Sequence, residues 1–450
     1  MTQKHAFAQA GLFDRSVPRY TSYPAANHFG AVSEDTYRGW LADLPAGPIS
    51  LYVHIPFCER LCYFCACRTQ GVNSAGPVIA YLETLEQEIA MLAQALPDGV
   101  TVGRMHWGGG TPTILTPAQI AALSGMLRAA LPFEPDGEFS VEIDPACVDD
   151  AKLDALIAAG LNRGSVGVQD FALPVQETIG RLQSVEETTH AMRYLREHGV
   201  TSMNADLVYG LPRQTMDSLG ATLDQIIDLG PERIALYGYA HVPWMSKRQR
   251  VIPEDTLPDP QTRLAMAELS ADRLTAAGYV PIGIDHFAKP GDGLARAAAG
   301  GTLRRNFQGY TDDTMGALIG LGASSISRLP GGYGQNAPAT PAWAERVKAG
   351  QLPVMRGLAL SADDRLRARA IECLMCDFRL DFAALSAEMR MPVTALMAEA
   401  AEVAQRWPFA VTFTDGVLTI APEARVMTRL IAETFDAYAD ATKTANSRAI

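Results

Sequence analysis

The sequence predicts an α/β fold: a parallel sheet curved into a partial (β/α)6 barrel, preceded by an N-terminal arm and followed by a mainly helical, winged-helix-like domain. Three observations predict it. β-branched and aromatic runs alternate six times with amphipathic helical patterns between about residues 48 and 285, and strict βα alternation implies a parallel sheet with right-handed crossovers. The chemically unusual residues fall at the C-terminal ends of successive runs, as in a βα barrel, whereas a doubly wound sheet gathers its ligands near one switch point. Finally, four of the seven cysteines, Cys58, Cys62, Cys65 and Cys67, follow the first run directly.

The elements follow in order. SLYVHIP, ending at Pro56, reads as strand one, and the cysteine loop comes next. Val78, Leu82, Leu85, Ile89 and Leu92 then repeat with a helical period. VGRMHW is strand two and ends in Gly108-Gly109-Gly110. Thr116 with Gln119 predicts a capping box, with Pro117 at the first helical position. FSVEID is strand three, and its helix stops at Gly160. GSVGVQ is strand four, and Ser184 with Glu187 caps a later helix. SMNADLVYG is strand five, its helix ending at Gly230-Pro231, and RIALYGYAH is strand six. Residues 290–345 are Gly-rich and read as loops around one helix or strand in ALIGLGASSIS. From Ser361 an Ala/Leu/Arg helix, two further helices, the hairpin AVTFTDGVLTIAP and a last helix give the order of a winged helix. The expected divisions are 1–46 for the arm, 47–345 for the barrel and 346–450 for the helical module.

Composition narrows the function. A chain of 450 residues with 48% hydrophobic content can bury a large core. A net charge of -12 argues against nucleic acid and anionic membrane as partners. No apolar run reaches the roughly 18 residues of a membrane span. The N-terminus has no signal-peptide apolar region. Together with an odd cysteine count, this argues against a disulfide framework and predicts reduced thiols in the cytoplasm.

Thiolate is a soft ligand suited to zinc or iron–sulfur clusters. Structural zinc usually takes paired ligands from two separated knuckles, and the spacing C-x3-C-x2-C-x-C offers a single short segment. Cys373 and Cys376 fall inside an amphipathic helical pattern and read, with Cys147, as structural.

C-x3-C-x2-C after the first barrel strand, with a glycine run after the second, resembles the signature of the radical S-adenosylmethionine (SAM) superfamily. The resemblance implies that Cys58, Cys62 and Cys65 hold a 4Fe–4S cluster whose fourth iron is left open to SAM, the source of a 5′-deoxyadenosyl radical. A finer resemblance, to the oxygen-independent coproporphyrinogen III oxidase family, runs from PRYTSYP to the C-terminal module. It rests on YVHIPFC, Cys67, HWGGGTPT, EIDP, GVQDF, DLVYGLP, IDHFA and RNFQGYT. Ala66 stands where glycine is usual in that family.

The finer resemblance implies decarboxylation of two propionates of coproporphyrinogen III to vinyl groups. It carries roles to matching positions. Tyr52, Gly109, Glu142 and Ile326 would surround the SAM on the cluster. Phe64, Gly110, Thr111, Gln169, Arg181, Asp206 and Ala240 would hold a second SAM. Tyr52, Glu142 and Cys67 would serve catalysis, Cys67 without binding the cluster. The substrate carries four carboxylates, so Arg19, Arg304, Arg305 and Gln308 are candidates to bind it, with the arm around Arg19-Tyr20-Thr21 covering the site. An electron donor such as flavodoxin or ferredoxin and a monomeric chain complete the expectation.

Plainer readings stand beside these. The glycine run could be a strand-end turn, Asp206 could belong to a buried salt bridge, Arg181 could be a surface charge, and Tyr52 could be core packing. None of the histidines is assigned to metal. Rival functions are a SAM-binding haem chaperone, a porphyrin-modifying methyltransferase and a zinc-binding regulatory protein.

Overall fold

The computed structural model describes residues 3–439 and 449. The end of the expected helical module, 440–448 and 450, lies outside the described residues. All six expected strands form: β1 (Gly47–Ile55), β2 (Val100–Gly109), β3 (Phe133–Ile143), β4 (Arg163–Gln169), β5 (Ser202–Tyr209) and β6 (Arg233–Gly238). They are mutually parallel and lie side by side in chain order. An order without reversal has no switch point, so the crossover helices pass on one side and the sheet curls around the other. The barrel stays open. Beyond β6 the sheet continues with β7 (His286–Ala288), antiparallel to it. Beyond β1 it continues with β8 (Leu318–Leu321), parallel to β1.

Alternation along the strands sorts the side chains. Leu51, Val53, Met105, Trp107, Val141, Val166, Ala205 and Leu207 are buried in the main core. Their neighbours Tyr52, His106, Glu142, Ser165, Asn204 and Asp206 are only partly buried and face the concave side. Both expected capping boxes, Thr116/Gln119 and Ser184/Glu187, are present. Gly230, at φ +60°, closes helix Met216–Leu229.

The Gly-rich region departs from expectation. ALIGLGASSIS holds two strands, β8 and β9 (Ile326–Leu329), and the sheet goes on through β10 (Gly332–Asn336) and β11 (Val354–Ala359). A Cβ on Gly334 would lie 2.6 Å from the Tyr37 ring, and one on Gly332 2.9 Å from Trp40. The glycines make room for aromatic residues of helix Glu34–Ala42, so a packed strand carries a loop-like composition. β11 belongs to the large sheet, although it falls within the 346–450 expected for the helical module. We propose that the module begins at Ser361, the observed N-cap of helix Ala362–Asp377.

That module contains helices Phe382–Met389 and Thr394–Arg406 and a three-stranded sheet of Arg379–Asp381, Val411–Thr414 and Val417–Ile420. Its core includes Phe7, Leu12, Val17, Tyr20 and Tyr23 of the N-terminal arm. The first part of the arm therefore packs on the C-terminal module, while Tyr37 and Leu41 join the barrel core.

Candidate active site

Strand register assembles the concave face. Tyr52 pairs with His106, His106 with Ser140, Glu142 with Ser165, and Asp206 with Gly167. The Tyr52 ring stacks on His106 at 5.8 Å, and its hydroxyl is 2.9 Å from His54 Nδ1. Glu142 accepts the Gly109 N–H at 3.0 Å and lies 3.5 Å from His106 Nε2. Enclosure pushes the Glu142 carboxyl up, but His106 and the Gly109 N–H outweigh it and hold it below its ordinary value. Its side chain is still 41% exposed, because the surrounding strands enclose a hollow rather than a packed core. Asp206 accepts from Ser165 Oγ at 3.0 Å and from Asn204 Nδ2 at 2.9 Å, with no ion pair among the described residues. Burial and the nearby Glu142 charge raise it. A diol or ammonium donor suits this pair of acidic groups.

The glycine run is required by the chain itself. Gly109 sits at φ +112°, where a Cβ would strike the His54 ring, and a Cβ on Gly108 would lie 2.7 Å from Glu142 Oε1. Gly110 and Thr111 donate backbone N–H groups to Ile55 and Phe57 carbonyls, each at 2.8 Å. Close approach of strand ends is by itself enough to call for small residues here.

The cysteine loop is closed at its base by pairing of Phe57–Cys58 with Gln70–Gly71. Cys62 is buried, Cys58 and Cys65 are half-buried, and Cys67 is exposed. The Cys67 thiol hydrogen-bonds Cys65, which lowers Cys65 and raises Cys67, and the Cys67 N–H points at Cys65 Sγ at 3.4 Å. Arg181 reaches Cys62 Sγ at 3.7 Å. Among the described residues no three His, Cys, Asp or Glu side chains converge as ligands of one ion would. Three thiolates on separate corners of a four-iron cube need no common point. Their soft donors and the neighbouring guanidinium fit such a cluster.

At the strand-four end, register slips between Gly167 and Gln169, and Gln169 has φ +67°. This irregularity re-aims the side chain. A Cβ on Gly167 would meet Arg181 Nη2 at 3.0 Å and Gln169 Nε2 at 3.2 Å, so both lie over that glycine. Arg181 is no surface charge: it pairs with Asp144 at 3.1 Å and donates to Gly167 O at 2.8 Å, while its buried Nε has no partner among the described residues. Gln249 donates to the carbonyls of both Phe64 and Ala240, at 2.7 and 3.1 Å, tying the cysteine loop to the end of β6. Ile326 opens β9 opposite Gln335.

The substrate candidates separate. Arg19 and Arg305 line a cavity of about 750 Å³ that begins at Ala240 and the ends of β5 and β6 and does not reach the cysteines. Arg304 lines a second cavity of about 340 Å³, which Arg305 also borders. Gln308 stands exposed between hairpin strands Arg304–Asn306 and Gly309–Thr311 and lines neither.

The larger cavity adds residues not foreseen, above all Arg429 and Arg263. Arg429 donates to the Pro18 and Ala449 carbonyls at 3.0 Å each and to Val17 O. Burial, then repulsion from Arg19 and Arg305, lowers it to about 9. The one signal in the sequence was an arginine inside the otherwise apolar VMTRLIA.

Residues 52–226 match the Radical SAM superfamily. Over 441 residues the chain is 51% identical to the oxygen-independent coproporphyrinogen III oxidase of Cereibacter sphaeroides, spanning 97% of this chain and 98% of that one. It is 51% identical to the protein of the same name from Paracoccus denitrificans over 440 residues, with the same coverage. Its structure is similar to the solved coproporphyrinogen III oxidase of Escherichia coli, described as a radical SAM enzyme, with a TM-score of 0.90 and 39% identity across 93% of this chain and 97% of that one. With the cysteine loop at the mouth of an open parallel barrel and near-full-length likeness on both counts, the chain belongs to the oxygen-independent coproporphyrinogen III oxidase family of the radical SAM superfamily.

Proposed function

We propose that the chain removes the carboxyl groups of two propionates of coproporphyrinogen III without oxygen, leaving vinyl groups and giving protoporphyrinogen IX for haem biosynthesis. The observation that carries the reading is the 51% identity across 97% of the chain to oxidases of that name. When bound, the 4Fe–4S cluster and SAM supply a carbon-centred hydrogen-atom abstractor. In this reading Cys58, Cys62 and Cys65 hold the cluster, and Tyr52, Gly109, Glu142 and Ile326 seat the adjoining SAM. Phe64, Gly110, Thr111, Gln169, Arg181, Asp206 and Ala240 seat a second SAM. The unpartnered Arg181 Nε is the N–H left for a carboxylate there, since Asp144 already takes its neighbour.

Arg19 and Arg305 grip substrate carboxylates in the larger cavity, with Arg429 beside them. Buried Arg305 supports this directly: among the described residues its Nε and Nη1 have no partner, and each leaves an N–H for an anionic oxygen. Arg304 and Gln308 would act at the periphery. At the substrate the balance is simple. Removing one hydrogen atom from the propionate β-carbon, then carbon dioxide and one electron, leaves the double bond, so no general base is needed. The chain acts as a monomer in the cytoplasm in this reading, and among the described residues no helix is long and apolar enough to cross a membrane.

The test is an anaerobic assay with coproporphyrinogen III, SAM and dithionite. Protoporphyrinogen IX with 5′-deoxyadenosine is the expected result. Haem binding without decarboxylation would overturn it in favour of a chaperone. SAM binding to the reconstituted protein should reach about two per chain.

A further inference from the structure

We propose that the outer surface of the cysteine loop, with segment Trp244–Val251, is the docking surface for an acidic protein that donates one electron at a time. The proposal rests on the reaction above, which needs an electron to enter at Cys58, Cys62 and Cys65. That electron has to reach the cluster these thiols would hold, so the donor docks on the surface that covers them.

The segment is tied to that loop at three points. Ser246 Oγ donates to Cys65 O at 2.9 Å, Arg248 to Thr69 O at 2.8 Å, and Gln249 to Phe64 O at 2.7 Å. Its other side chains face out: Met245 is 66% and Val251 59% exposed. On the other flank of the loop Tyr63 is 42% and Leu182 55% exposed, and Arg60 donates to Leu182 O. Exposed apolar groups gathered around one loop mark an interaction surface.

Charge selects the partner. The whole chain has 38 Lys and Arg against 50 Asp and Glu, yet residues 58–70 and 244–251 carry five Lys or Arg and a single acid, Glu59. A cationic, partly apolar patch on an acidic protein steers an acidic partner to one place and repels it elsewhere. Electron-transfer encounters are small and weak, burying less than about 1,200 Å². One electron leaves the donor, which is oxidised by one electron, and is accepted at the cysteine-held cluster; no atom crosses.

The test uses the full-length reconstituted enzyme with two probes, a flavodoxin and a 2Fe–2S ferredoxin, in binding titrations at low and high salt. The variant Lys247→Glu/Arg250→Glu alters two exposed side chains. Expected are at least a roughly tenfold rise in Kd for a probe that binds the parent chain, and weaker parent binding at high salt. Dithionite-driven turnover of the variant should match the parent. An unchanged Kd in the variant, or no binding of either probe at low salt, would overturn the docking surface. Failure of dithionite to drive decarboxylation by the parent would instead overturn the proposed reaction.

Discussion

Arg305 gives the sharpest test of the cavity. Its side chain is 4% exposed, its guanidinium lies 4.3 Å over the Tyr310 ring, and Nη2 is 3.7 Å from Asp285 Oδ2. The other two nitrogens have no partner among the described residues. Leaving buried donors unsatisfied costs about 1–3 kcal/mol, which a bound carboxylate removes. Replacing Arg305 by Gln should forfeit about 1.5–3 kcal/mol of charge-assisted hydrogen bonding. At about 1.4 kcal/mol per factor of ten, that is roughly a 10- to 150-fold fall in kcat/KM, carried by KM. Arg305→Lys restores charge but not the planar guanidinium with its several N–H groups, and should recover only part of the loss.

A stability effect accompanies it. Burial pushes Asp285 up, but Arg305, His286 and Arg19 bring it down to about 2 from 3.8. A carboxyl so depressed contributes about 2 kcal/mol, present above about pH 4 and lost as pH falls towards 2. Arg305→Gln removes part of this and lowers Tm at pH 7, while Arg19 and His286 keep the chain folded. Initial rates by anaerobic chromatography over a range of coproporphyrinogen III, with circular dichroism as the folding control, decide the matter. Two folded variants with parental KM would refute the reasoning.

Cys67→Ser should keep about four irons and four sulfides per chain while turnover falls, by iron and sulfide analysis beside the assay; loss of iron would make Cys67 a ligand. Glu142→Gln keeps an acceptor for the Gly109 N–H but loses the charge, so iron content should hold while SAM affinity drops about tenfold or more in equilibrium dialysis. Glu88 is buried and accepts from Gly322 N at 2.9 Å, Trp343 Nε1 at 2.9 Å and Asn336 Nδ2 at 2.7 Å. Burial raises it from 4.5 to about 7 against those three donors. The folded chain then holds its proton longer than the unfolded one, so stability is full below about pH 4.5. About 3 kcal/mol is lost as pH rises through 7. The fall of Tm between pH 5 and 8 should be shallower in Glu88→Gln; an identical slope would remove the assignment.

The six parallel strands were legible because each carries its own signal, a β-branched run followed by a helical period. The caps at Thr116 and Ser184 are local too, set by residues three apart. The cysteine loop was legible for the same reason: its chemistry lies within ten consecutive positions. What failed depends on distant partners. β10 reads as loop because its packing comes from Tyr37 and Trp40, some 300 residues earlier. Arg181 looks like a surface helix charge until Asp144, from another strand end, buries it. Arg429 enters the cavity only because the module that carries it folds back against the arm.

That junction gives one side chain two tasks. Arg429 clasps the carbonyls of Val17, Pro18 and Ala449, and Ala449 in turn donates to Arg15 O at 2.9 Å. The same guanidinium lines the larger cavity. The wall of the chamber and the clasp that seats the arm on the helical module are therefore one group, and loosening the clasp opens the chamber.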